Sequence, residues 1–245
     1  YPGADFDNGK VTSRTINYGE GYGGGLNMGL GLGEVMGVEL RGTYVSGKEQ
    51  ETTSTNDDGD YSSNRTSTAK TTYLRVEPAL RATVGKSQVK VYIAAGPSIA
   101  LGTKLTIEGT DLDRYEDPFN PDLSYTRTST DQGEYEGGVG WGGFGALGLV
   151  WAPNTMFGVF AEAQATAQTW APTQGKGESR SVTNYDDGTT QTYNDSFDVD
   201  YVESYEADDE TKGLRTSLVL STWGFRAGLR FSFGGDKPAA EAPKE

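Results

Sequence analysis

The chain contains neither cysteine nor histidine. Without cysteine there is no disulfide, no thiol chemistry and no acylated cysteine of the lipoprotein type. Without histidine, Ser-His-Asp triads, Asp-His proteolytic sites and His-dependent phospholipase or acyltransferase sites are excluded. Carboxylate-pair hydrolysis stays formally open, but no spacing singles out a pair among the acidic residues. No catalytic residue, resident metal or cofactor is therefore assigned. Basic residues are few: 21 Lys and Arg against 35 Asp and Glu give a formal net charge of −14. That balance argues against nucleic acid as a partner. Long apolar runs are missing as well, so no segment reads as a membrane-spanning helix.

What is present is 34% hydrophobic residues and 35 glycines in a chain of 245. A soluble core of this size calls for more aliphatic mass. Such polarity also accompanies disorder, but the aromatic content of 11% and several long alternating segments speak against that. A transmembrane β-barrel reconciles these facts, because its lipid face is apolar, its lumen polar and its outer loops water-soluble. The alternative is a soluble β-barrel around an apolar ligand. It would turn Trp223, Phe225 and Leu229 towards water, as large exposed patches seldom do.

Seven strands can be read, over Thr15 to Leu32, Met36 to Lys48, Thr71 to Val84, Val89 to Ile107, Gly133 to Trp151, Met156 to Trp170 and Leu214 to Phe233. Tight turns at Gly33-Glu34, Gly85-Lys86-Ser87 and Pro153-Asn154 alternate with long polar loops. Asn56-Asp57-Asp58-Gly59 and Tyr185-Asp186-Asp187-Gly188 give hairpin tips within those loops. Short turns on one side and long loops on the other are the asymmetry of outer-membrane barrels. An odd count leaves open edges, and unsatisfied backbone groups in lipid cost several kcal/mol each. The reading adopted is an all-β, antiparallel, up-and-down transmembrane barrel of about eight strands. The segment Tyr1 to Arg14 would supply the extra one, with direct closure of seven strands or a partner's strand as alternatives. Barrel and N-terminal segment cover 1–235, and a Pro/Ala/Glu tail covers 236–245. Pro78 and Pro97 fall inside strands and predict local bulges there.

Period-two alternation separates two faces. Leu74, Val76, Leu80 and Val84 go outward with Val38, Leu40, Tyr44, Val89, Val91 and Ile93. The inward charges are Glu39, Arg41, Arg75, Glu77, Arg81, Lys90, Glu134, Glu136, Glu162, Arg226 and Arg230. Mixed signs suit groups that must find partners in a lumen which side chains can fill. The filled lumen is preferred to its alternative, a narrow pore for small solutes or ions. Trp141 and Trp151 share a face ten positions apart, as do Trp223 and Phe233. Ten residues at ~3.4 Å each, tilted by ~40°, rise ~26 Å, about the height of an outer-membrane apolar band. These four aromatics are the expected girdle.

The last strand, Arg226-Ala227-Gly228-Leu229-Arg230-Phe231-Ser232-Phe233, reads polar-x-Gly-x-x-aromatic-x-aromatic. It resembles the C-terminal β-signal that Gram-negative outer-membrane barrels present to their insertion machinery, carried here by Arg226, Gly228, Phe231 and Phe233. With the hairpin asymmetry and the inward charges, the chain resembles the small outer-membrane barrel superfamily typified by the OmpA transmembrane domain. The resemblance implies the bacterial outer membrane, its lipid bilayer and the barrel insertion machinery as surroundings. No peptidoglycan-binding domain follows in the sequence, so a cell-wall tether is not carried over. Members of that superfamily serve as envelope-stabilising proteins, adhesins, receptors or narrow pores, so the resemblance leaves function open. The expectation is a non-enzymatic interaction protein whose long acidic loops contact an envelope or extracellular protein. Tyr61, Tyr115, Tyr125, Tyr185, Tyr193, Tyr201 and Tyr205 lie in those loops, where they suit either recognition or strand formation. The acidic tips read as turn chemistry more readily than as calcium loops.

Overall fold

The computed structural model describes residues 4–7, 10–13, 18–33, 35–85, 88–153, 157–204 and 211–233. Glu34, Lys86, Ser87 and Asn154 in the expected turns, the strand start at Thr15, Tyr205 and the tail from Gly234 lie outside them, as does the side chain of Phe233. The protein is all-β. β1 (Ala4–Asp7) and β2 (Lys10–Ser13) form a separate two-stranded antiparallel hairpin. The remaining strands form one 13-stranded, mostly antiparallel sheet. They are β3 (Gly21–Gly31), β4 (Met36–Gly47), β5 (Gln50–Asp58), β6 (Tyr61–Val84), β7 (Val89–Tyr115), β8 (Tyr125–Glu136) and β9 (Gly140–Trp151). Then come β10 (Phe157–Trp170), β11 (Gln174–Tyr185), β12 (Thr190–Val202), β13 (Lys212–Leu214), β14 (Leu218–Val219) and β15 (Thr222–Phe233).

The expected count of about eight is corrected by the pairings. Going round, β7 pairs with β9, then β10, β15, β3, β4, β6 and β7 again, so seven strands make a closed hydrogen-bonded circuit. The N-terminal segment does not join it. Its two strands pair only with each other, and β15 instead meets β3 directly and in parallel, Phe231 to Phe233 opposite Met28 to Leu30. An odd number of up-and-down strands leaves the first and last pointing the same way, which is why this pairing is parallel.

The expected loops are also largely strand. β6 and β7 run on past the circuit, and β5, β8, β11, β12 and β13 pair alongside them. Their Thr-, Ser- and Tyr-rich sequences are strand formers. Gly59 and Gly188, with φ +64° and +86°, supply the left-handed residues of two hairpin turns. What reads as one strand over Gly133 to Trp151 is two, β8 and β9. Gly137 and Gly138, with φ +80° and +71°, break it opposite Gly102 of β7, φ +57°. Across this joint the alternation changes phase. Even-numbered residues of β7 are buried on the inner side (Tyr92, Ala94, Ser98, Ala100) and odd-numbered ones on the outer side (Thr103, Leu105, Asp113).

The bulge sits at this joint too, between Thr72 and Leu74 of β6, and not at the prolines. Pro78 and Pro97 interrupt the ladder between Val76↔Ile99 and Leu80↔Ala95 without shifting its register. Each lacks only its own N–H, so the strands stay aligned.

Within the circuit the faces are sharply distinct. β10 alternates throughout: Gly158, Phe160, Glu162, Gln164, Thr166, Gln168 and Trp170 are buried, and the residues between them are exposed from Val159 onwards. The outward face is an apolar belt including Leu40, Leu80, Ile93, Leu147, Leu149 and Leu229. Inside, Tyr18, Val45, Tyr73, Leu105, Trp170 and Leu220 form one apolar cluster, and Ala79, Tyr92, Phe144, Val150 and Phe160 form another. Along β6 and β10, Arg75, Glu77 and Glu162 lie between the two.

Candidate functional site

The interior network is built from inward positions of β4, β6, β10 and β15. Glu39 and Arg41 alternate on β4. Arg41 donates from Nε and Nη2 to Glu39 Oε2, at 3.2 and 3.0 Å, and from Nη1 to Glu162 Oε1 at 3.0 Å. Glu39 Oε1 accepts from Arg81 Nη1 at 2.7 Å and lies 3.4 Å from Arg230 Nη2. Glu162 Oε2 accepts from the Tyr92 hydroxyl at 2.7 Å. Arg226 Nη1 donates to Glu162 Oε1 at 3.3 Å and to Gln164 Oε1 at 3.0 Å, while its Nη2 reaches Asn27 and Thr43. Gln164 Nε2 donates to Glu77 Oε1 at 2.7 Å. Arg75 Nε stands 3.2 Å from the same carboxylate oxygen.

Burial explains why these groups interlock. Arg41 and Glu77 are both 0% exposed. A buried charge without a partner is strongly destabilising, so each must be shared out among opposite charges and polar groups. The Arg41 guanidinium also lies over the Phe144 ring, 5.0 Å from its centroid, and such a cation–π contact adds to its stabilisation. A Cβ at Gly148 would come within 2.6 Å of the Tyr92 phenol oxygen, so glycine there makes room for the hydroxyl that caps Glu162. Above the network Trp170, 1% exposed, closes the interior and donates from its indole N–H to Gly137 O at 2.7 Å.

The structure brings together Glu39, Arg41, Arg75, Glu77, Arg81, Glu162, Arg226 and Arg230. It does not bring in three other residues expected there. Lys90 is half-buried beside the Gly85 turn and makes no ion pair with the network. Glu134 and Glu136 lie on β8, beyond the change of phase. Glu134 is paired with Lys104 at 2.6 Å and Lys176 at 3.5 Å. The hydrogen bond from Lys104 holds its carboxyl below the usual range. Glu136 stands opposite Lys104 and Gln174. The aromatics Trp141, Trp151 and Trp223 all face outward and are exposed. In the last strand Arg226 points inward and Phe231 outward, with Gly228 packed against Phe160.

The outer sheet carries a second cluster that sequence reasoning missed. Asp113, 2% exposed, accepts from the Tyr61 hydroxyl at 2.8 Å and from Arg127 Nε at 2.8 Å, and Arg127 Nη2 bonds it as well. Burial pushes the Asp113 carboxyl up, but the hydrogen bonds from Tyr61, Arg127 and Ser63 outweigh this and hold it below its ordinary value. Asp113 and Arg127 stand opposite each other on β7 and β8, a pairing that is unreadable while both are taken as loop. Near the outer tip, Tyr125 stacks between Tyr115 and Tyr185, with ring centroids 5.5 and 5.9 Å away. This sheet holds an open groove of about 730 Å³ whose lining includes Glu108, Asp131, Glu178 and Asp195, with Arg180 the one cation among its lining residues. At the tip of the β11–β12 hairpin the Asp187 carboxylate accepts from the Thr189 N–H and hydroxyl, both at 2.7 Å. The turn itself therefore uses that acidic group.

Comparison with protein-family models, with curated proteins and with solved structures finds no match to this chain.

Proposed function

We propose that the chain is a non-enzymatic transmembrane β-barrel of the bacterial outer membrane, of the small OmpA-like kind. Its barrel anchors an acidic outer sheet that docks a partner protein. The observation that carries this reading is the inversion of polarity around the seven-stranded circuit. Trp223 and Phe225 are 82% and 84% exposed, while Arg41 and Glu77 are wholly buried. Water would penalise both choices, whereas lipid outside and a filled lumen inside favour both. The pairing of β15 with β3 supports the reading as well, because it ties the last strand to the first and shortens the free edges that lipid penalises.

The interior favours a solid lumen over a pore. Trp170 and Tyr73 cap the charge network at one end and Phe160 and Val150 pack at the other. The network occupies the space in which ions would have to move. Planar-bilayer recording is expected to give no conductance above background.

The acidic groove and tyrosine-bearing tip suit a partner surface rich in Lys and Arg, since complementary charge speeds and orients docking. The test pairs gel mobility with and without boiling, on detergent-solubilised protein, with cross-linking in native membranes. A heat-modifiable band cross-linked to a specific neighbour is expected. Deletion of about Gly175 to Asp209 should keep the band heat-modifiable and remove the cross-link. Survival of the cross-link in that deletion would sink the docking role.

A further inference from the structure

The circuit is closed unevenly. Between β3 and β15 the ladder covers only Met28 to Leu30 against Phe231 to Phe233. At the outer end the Tyr18 N–H donates to Val219 O at 3.1 Å. Between these two fastenings no ladder pair joins Gly21–Asn27 to Thr222–Arg230, although all of these residues are described. A cavity of about 440 Å³ opens there, lined by Gly21, Tyr22 and Gly23 on one side and by Trp223, Gly224 and Phe225 on the other. Its floor holds Arg75, Arg226 and Gln164.

Three features of this cleft point to one kind of occupant. The interior network has five guanidinium groups (Arg41, Arg75, Arg81, Arg226, Arg230) for three carboxylates (Glu39, Glu77, Glu162), an excess of two positive charges in a chain of net charge −14. Arg75, 8% exposed, lines the cleft. Its Nε lies within ion-pair distance of Glu77 but off the hydrogen-bonding direction, and makes no hydrogen bond. The rim is aromatic and exposed, with Tyr22, Trp223 and Phe225 at 82%, 82% and 84%. Glu20 is the one carboxylate among the lining residues and is itself exposed.

We propose that this seam is a lateral binding site for a single-chain anionic amphiphile. Its carboxylate or phosphate head meets Arg75 and Arg226, and its acyl chain lies outward along Tyr22, Trp223 and Phe225. The proposal rests on the transmembrane reading above. The head also neutralises part of the interior excess. Arg226 is the bridging group, because it already spans the seam from Gln164 on β10 to Asn27 on β3.

The test uses the folded full chain in zwitterionic detergent, with dibrominated stearate as probe and its methyl ester as control. Both quench outward tryptophans as they partition. The acid is expected to quench more than the ester at equal mole fraction, and Trp223→Phe is expected to remove that excess. Arg75→Gln should weaken acid binding by about tenfold, the loss of one charged hydrogen bond. An added side chain at Gly224 meets open space, with nothing within 4 Å of a Cβ. Gly224→Phe should therefore place its ring in the cleft and abolish the excess, with retained heat modifiability as the check on its fold. Competition by lysophosphatidate as well as by stearate assigns the site to either head group. Displacement by inorganic phosphate alone overturns the amphiphile. Equal quenching by acid and ester in a heat-modifiable protein overturns the seam site and leaves the barrel standing. Loss of heat modifiability in the unmutated protein overturns both.

Discussion

β6 and β7 each pass through two different worlds. Their inner halves belong to the circuit, where Leu74, Leu80, Val91 and Ile93 are exposed while Arg75, Glu77 and Tyr92 are buried. Their outer halves belong to a sheet with polar groups on both faces, such as Arg65, Thr66, Glu108 and Asp111. The backbone does the same thing in both places, pairing in one antiparallel ladder. What changes is which side chains face outward, apolar ones along the circuit and polar ones beyond it. A strand has no preference between water and lipid, and its side-chain pattern alone assigns the medium. The glycines at the joint mark where one assignment gives way to the other.

The largest effect should come from the circuit's interior. Glu39 serves Arg41, Arg81 and Arg230 at once. Glu39→Met strips three cations of a shared carboxylate in a site already rich in positive charge, and should cost about 3–5 kcal/mol. Arg41→Met should cost less, because Glu39 and Glu162 keep other donors and the excess charge falls. Denaturant unfolding of the refolded protein compares the two. The reverse order would mean that the interior is not positively biased.

Next comes the outward face. Leu147 sits mid-belt, opposite Ile93 and Ala163. If the circuit spans a membrane as proposed, Leu147→Arg should destabilise the bilayer-reconstituted protein by about 2–4 kcal/mol. Thr192→Arg, on the exposed face of β12, should change stability by no more than about 0.5 kcal/mol. Equal effects at the two positions would erase the distinction between the media.

The smallest effect is confined to the outer sheet. Asp113→Asn should lose about 1.5–3 kcal/mol of charged hydrogen bonding locally, read as faster hydrogen exchange in β6 to β8 beyond the joint. The folded carboxyl is held below its unfolded value. Its contribution is therefore complete above roughly pH 4 and fades as pH falls through the folded value. Acid should loosen the outer sheet of the unmutated protein in this window, and Asp113→Asn should flatten that response.

Much of the circuit was legible because period two is a strong signal wherever one face meets a single medium. Leu74 to Val84 and Val89 to Leu101 show it without ambiguity. The outer sheet was not legible as sheet, since Ser, Thr, Asp and Tyr on both faces give no alternation to read. Glu134 and Glu136 were misplaced for a related reason. Counting by twos from Trp141 carries the wrong phase across Gly137 and Gly138, whose positive φ no pattern reveals. Trp170 was readable in principle, as it shares parity with Glu162 and Gln168, but its distance from the girdle positions hid its role as a cap. The eighth strand was sought because even counts are usual, and a parallel closure leaves no mark in a single sequence.

The length of β6 and β7 has a mechanical side. A partner tugging on the outer tip would load these strands along their axes. Their ladder, Tyr61↔Tyr115 to Val84↔Val91, would be sheared as a body instead of opening bond by bond. Resistance of that kind is set by the rate of unfolding and not by equilibrium stability. The β11–β12 hairpin, with a single turn at its tip, would peel. The two strands that run from circuit to tip thus make the molecule stiff along its axis and yielding at its side.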